Sequence, residues 1–180
     1  MKEPSLTRRG ASPVYTTLRT LPSPVSVSYM AVSRAFPRLA VRAIIMRDNR
    51  LLIVNAWKGR DHLWCAPGGG VEVHASLHDN LLREVMEETG LTVEVGLHCL
   101  INEFHDPGSS FHQVDLYFRC TITAGDPDGK WTDPEGIVSF RRWVTRDEIA
   151  RLRVKPDSLA AVAWADTDAP GYDPLEPLVR

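Results

Sequence analysis

The chain has few cysteines and none of them form a pair. Cys65, Cys99 and Cys120 are its three thiols, widely spaced and without a Cys-x-x-Cys, which excludes a zinc knuckle and a disulfide framework. Free, buried thiols in a reducing cytoplasmic setting are the expectation. No apolar run approaches the ~20 residues that cross a bilayer, and residues 1–36 contain no apolar core of a secretory signal. The six histidines lack ligand spacing. His98, His105 and His112 recur regularly, but on strands and a loop rather than on one helix face. A basic groove interleaved with aromatics is also missing, which argues against single-stranded nucleic acid as a partner.

Charge is close to balanced overall, at −2, but it is unevenly placed. Lys2, Arg8, Arg9, Arg19, Arg34, Arg38, Arg42 and Arg47 precede residue 48, accompanied by only one acid, Glu3. The body that follows is therefore acidic, and suits a cation site better than a nucleic-acid groove. Residues 1–36 are rich in Ser, Thr, Arg and Pro. They read as a disordered or extended tail, or as a start placed upstream of Met30, because prolines interrupt any amphipathic targeting helix. Residues 37–166 read as one domain and 167–180 as a loose tail.

Periodicity supplies the elements. Leu39–Met46 and Leu51–Trp57 are apolar, β-branched runs around Asp48-Asn49, predicting a hairpin. Leu63–Ala66 is a short strand entering Pro67-Gly68-Gly69-Gly70. Ser76 with Asp79 forms a capping box that opens a helix, and Gly90 closes it. Leu81, Leu82, Val85 and Met86 predict its apolar stripe, facing away from the glutamates. Residues 91–104 and 111–123 are two long strands joined by 105–110. A strand over 137–144 follows, then a capping box at Thr145 and a last helix after Pro156. Strands, one helix, strands and then helices predict an α/β (α+β) fold, an α/β/α sandwich around a mixed sheet.

Glu84, Glu87 and Glu88 crowd one side of the first helix, directly before Gly90. Such a trio repels itself unless a cation faces it. Hard oxygen donors at this spacing suit Mg²⁺ or Mn²⁺, which in turn bind phosphates. Glycines ahead of the helix allow close main-chain approach, so Gly69 or Gly70 can offer a carbonyl as a further ligand. Arg83 lies one turn before Glu87 and can hold its rotamer. Trp57 and Phe111 are candidates to stack on a base, although strand aromatics more often belong to the core.

These residues resemble the Nudix box. Gly69 opens the motif, Arg83-Glu84-Val85, Glu87-Glu88 and Gly90-Leu91 fall in register, and Leu63–Glu72 and Trp143–Ile149 are similar to the segments that usually flank it. The resemblance covers about residues 38–155. It implies a metal-dependent hydrolase cleaving between the phosphates of a nucleoside diphosphate linked to another moiety. Glu84 and Glu88 would be the first ligands, Glu87 the next and Gly69 a carbonyl donor, with Arg83 orienting the acids. Glu135 matches a further acid that the family places before the last core strand, as ligand or base, and Asp128 and Asp133 compete for that place. Glu84 or Glu135 would activate water. Dimers are common in the family, so a homodimer is a further expectation.

One position departs from the pattern. The first acid of the box would fall at 75, where this chain has Ala75, and Glu72 stands nearby. That departure supports a second reading, a nucleotide-sensing or binding module with weak or no turnover. A third reading is an isomerase or RNA-cap enzyme on the same scaffold.

Overall fold

The computed structural model describes residues 36–178. The tail expected over 1–36 lies, up to residue 35, outside them. Strand β1 (Arg38–Arg47) turns into β2 (Arg50–Trp57) through Asp48 and Asn49, at φ 49° and 57°. Two successive left-handed residues make the tight hairpin turn whose twist matches its strands. The two strands stay paired only beside that turn, at Met46↔Leu51 and Arg47↔Arg50. Beyond it β2 pairs with β3 (Arg60–Cys65), which starts earlier than its apolar pattern suggested.

After β1 leaves β2, its edges are taken by two other partners. One is the parallel strand β5 (His112–Ala124), in register from Arg38↔Gln113 to Ile45↔Cys120. The other is the glycine segment, where the N–H groups of Val41, Ala43 and Val71 bond to the carbonyls of Gly69, Pro67 and Leu39. The outer half of β1 therefore presses the glycine loop into the sheet. β4 (Thr92–His105) pairs antiparallel with β5, and β6 (Arg141–Val144) with β2. The main strand order is β3-β2-β1-β5-β4.

Helix α1 (Leu77–Thr89) covers one face, and both capping-box bonds of Ser76 and Asp79 are present. Leu81 and Val85 pack there on Val41, Ala43, Ile45 and Phe118. The short helices α2 (Arg146–Ile149) and α3 (Leu159–Ala163) cover the opposite face, where Ile149 and Leu159 meet Ile44, Ile53 and Tyr117. Helices on both faces of a mixed sheet make the expected α/β/α sandwich.

Three local expectations change. Leu82 and Met86 stay 37% and 38% exposed, so they are not part of the packing stripe of α1. Positions 81, 84, 85 and 88 form the inward-facing stripe, which brings two glutamates under the helix beside Leu81 and Val85. The strand expected over 137–144 begins only at Arg141. The N–H groups of Ile137 and Val138 bond to Asp133 and those of Ser139 and Phe140 to Asn55, so side chains replace the ladder. The segment after Asp166 is not loose throughout. It supplies β7 (Gly171–Tyr172) and β8 (Glu176–Pro177), both parallel to β4.

Candidate active site

A cleft of about 800 Å³ opens where β1 and β2 separate, lined by the glycine loop, the acidic side of α1 and the ends of β4 and β5. Gly68 has φ 134°, and a Cβ there would stand 2.1 Å from the Val41 carbonyl oxygen. Only glycine permits this approach. A Cβ at Gly69 would lie 2.3 Å from Glu84 Oε2, so the Glu84 carboxylate rests directly against the loop. The Gly68 N–H donates to Glu88 Oε2 at 2.7 Å. Loop and helix thus bring Glu84 and Glu88 to the same wall of the cleft.

Burial dominates the electrostatics of both acids. It pushes the Glu88 carboxyl up to about 8, against the pull of Arg42 and the Gly68 N–H. Burial raises Glu84 as well, against the pull of Arg83. Carboxyls raised by burial gain most from a cation that restores their charge. Arg83 supplies part of that now, donating to Glu84 Oε1 at 2.8 Å and to Glu87 Oε2 at 2.9 Å. It also reaches the Gly70 carbonyl and Asn80, with Glu72 3.8 Å away. The Gly69 carbonyl already accepts the Val41 N–H at 2.9 Å, leaving one lone pair for any further ligand. Among the described residues no three His, Cys, Asp or Glu side chains already stand in a ligating cluster. Two hard carboxylates beside a glycine cradle still fit a divalent ion, with Glu87 drawn aside by Arg83.

Glu135 lines the same cleft from the loop before β6 and is exposed. Neighbouring Asp133 is 5% exposed and accepts the N–H groups of Glu135, Ile137 and Val138. It shapes the loop that carries Glu135. Asp128 is bound to Arg47 and is absent from the cleft lining.

The sequence reading missed the cleft floor. Arg38, Arg42, Gln113, Asp115 and Tyr117 line it, all from one face of the β1·β5 pair. Asp115 is fully buried; it is paired with Arg42 at 3.2 Å and accepts Gln113 Nε2, while Arg38 donates to Gln113. Burial works against the Arg42 charge, but Asp115 together with Cys65, Tyr117 and Glu88 outweighs it, so Arg42 is held cationic. Arg42 also donates to the Gly68 carbonyl, fixing the loop that carries the Gly68 N–H. In the sequence Arg38 and Arg42 belong to a basic N-terminal stretch. Their even spacing on a strand was the available signal.

A NUDIX domain model matches residues 36–165. The chain belongs to the Nudix family. It is 30% identical over 121 residues to a MutT-like protein of Streptomyces ambofaciens, covering 67% of this chain and 71% of that protein. It is 30% identical over 94 residues to an ADP-ribose pyrophosphatase of Methanocaldococcus jannaschii, covering 50% and 54%. The chain spans about half the length of the first curated relatives it matches, at 43% and 54%. A MutT NUDIX hydrolase from Burkholderia pseudomallei superposes with TM-score 0.61 at 21% identity, covering 72% of this chain and 99% of that one. A UDP-X diphosphatase does so with TM-score 0.61 at 20% identity, covering 81% and 71%. At those identities the likeness concerns the Nudix fold alone. No helix among the described residues is long and apolar enough to cross a membrane.

Proposed function

We propose that this Nudix protein hydrolyses the diphosphate of a nucleoside diphosphate linked to another moiety, using Mg²⁺ or Mn²⁺. The observation that carries this reading is the convergence of Glu84 and Glu88 on the Gly68–Gly69 loop at the wall of a cleft large enough for a nucleotide. Glu84 and Glu88 would hold the ion, Glu87 would join them on release from Arg83, and the Gly69 carbonyl would back the site. A bound divalent ion supplies charge relief to phosphate oxygens and lowers the pKa of water. Arg83 keeps the acids oriented, and Arg42 fixes the loop against which they lie. Glu84 or Glu135 would take the proton from the attacking water, and pH–rate profiles of Glu84→Gln and Glu135→Gln distinguish the two. ADP-ribose is the first substrate to test, because a relative bears that activity in its name.

The binding-module reading rests on Ala75. Arg83, which an acid at 75 would support, is already held by Glu84, Glu87, Asn80 and the Gly70 carbonyl, with Glu72 nearby. The deciding experiment screens nucleoside diphosphate derivatives for phosphate release with Mg²⁺ and Mn²⁺, alongside Glu88→Gln. The glutamine keeps an acceptor for the Gly68 N–H but loses the charge, so turnover should fall on the order of 10²–10³-fold. Unchanged turnover would remove Glu88 from the mechanism.

A further inference from the structure

The chain continues beyond the domain match, which ends at residue 165. Residues 171–178 lie along the outer edge of β4, which would otherwise expose unpaired backbone groups. The Asp173 N–H donates to the Ile101 carbonyl at 2.9 Å and the Leu178 N–H to the His105 carbonyl at 2.7 Å. Side chains fix the register. Asn102, with 0% exposure, donates through Nδ2 to Asp173 and Glu176 at 3.4 and 3.3 Å. Lys155 Nζ meets Glu176, and the Tyr172 hydroxyl donates to Glu103 at 2.6 Å. Held in this way, Leu178 reaches the cleft and lines it with Phe104 and Phe111.

The register places this end of the cleft away from the acids. Gly69 is bonded at Val41, whereas Phe104 stands beside Gln113 and Gln113 beside Arg38. Three to four strand residues separate the two levels, roughly 10–13 Å at ~3.3 Å per residue. At this end Lys155 is engaged by Asp157 and Glu176, and Arg38 donates to the neutral amide of Gln113. The apolar and aromatic side chains of Phe104, Phe111 and Leu178 at this end suit a flat ring.

We infer that the docked C-terminal segment closes the far end of the cleft through Leu178, and that Leu178 with Phe104 and Phe111 receives the nucleobase of the substrate. This rests on the hydrolase reading above and extends it to a specificity element outside the family's matched core. The segment acts on binding and not on the reaction.

The test uses the full chain and the variants Leu178→Ala and Leu178→Asp. Amide exchange at Asp173 first verifies that the tail stays docked in each. Adenosine 5′-monophosphate is then titrated by calorimetry without metal, and KM and kcat are measured for a nucleoside diphosphate sugar. The expected result is weaker monophosphate binding and a KM raised about tenfold in Leu178→Asp, less in Leu178→Ala, with kcat steady. Unchanged affinity and KM with the tail docked overturn the inference, as does a fall in kcat at constant KM. A wild-type protein that binds the monophosphate but turns over no diphosphate defeats the hydrolase reading instead, and the affinities of the variants still decide the role of Leu178. A wild-type protein that does not bind the monophosphate defeats the inference.

Discussion

Glu88 and Gly69 show how single residues divide stability from activity. A methyl group at Gly69 would meet first the far end of the Glu84 side chain, with the three nearest contacts all on that carboxylate. Gly69→Ala should therefore fold with a melting temperature close to wild type, yet lose roughly 10–100-fold in activity because Glu84 is pushed off the loop. An equal loss of both would mean that the loop itself had been displaced. Glu88 carries the opposite tension. Its folded pKa of about 8 lies above the ordinary 4.5, so the native state binds a proton that the unfolded chain releases. That preference is fully present below pH 4.5 and is lost as pH rises through about 8. Metal-free protein should lose thermal stability over this window, and Glu88→Gln should flatten the decline. Thermal melts at stepped pH in chelator measure both, and a wild-type profile as flat as that of the variant would contradict the assigned burial effect.

At the scale of elements, α1 is set by local chemistry and placed by packing. The Ser76 hydroxyl accepts the Asp79 N–H at 3.0 Å, and Asp79 reaches back to Ser76. Ser76→Ala should cost ~1 kcal/mol in urea unfolding, with KM and kcat little changed, since the cap lies a turn and more from Glu84. The cap was legible because it depends on residues close in sequence. The stripe was not, because residue type alone assigns Leu82 and Met86 inward and Glu84 inward never. The cleft beneath the helix reverses that assignment: a carboxylate with a backbone donor and a cationic neighbour can be buried where an unpaired one cannot. The strand shortened to Arg141–Val144 follows the same logic, as Asp133 captures two backbone N–H groups of its own loop and Asn55 captures two more at long range.

Across the whole molecule, the C-terminal segment ties the far edge of the sheet to the cleft. Glu103 accepts from the Tyr172 hydroxyl and stands 2.9 Å from His112. These two bonds, Tyr172 first, hold its carboxyl below the ordinary 4.5. A depressed acid contributes stability above its unfolded pKa and loses it as pH falls through the folded value. Below about pH 4.5 the clasp should weaken, seen as faster amide exchange at Asp173 and Leu178. Tyr172→Phe should show that faster exchange already at neutral pH. Equal protection in the variant at every pH would show that the backbone bonds hold the segment unaided.

The order of strands and helices as far as α3, the hairpin turn at Asp48-Asn49, the caps at Ser76 and Thr145 and the Nudix box were all readable from residues near one another in the chain. Their physics is local: turn conformation, capping and periodic apolarity act within a few residues. The Arg42–Asp115 pair, the inward seats of Glu84 and Glu88 and the docking of residues 171–178 on β4 join positions far apart in sequence. Only the folded sheet decides these, because burial and pairing are properties of the space that distant segments enclose.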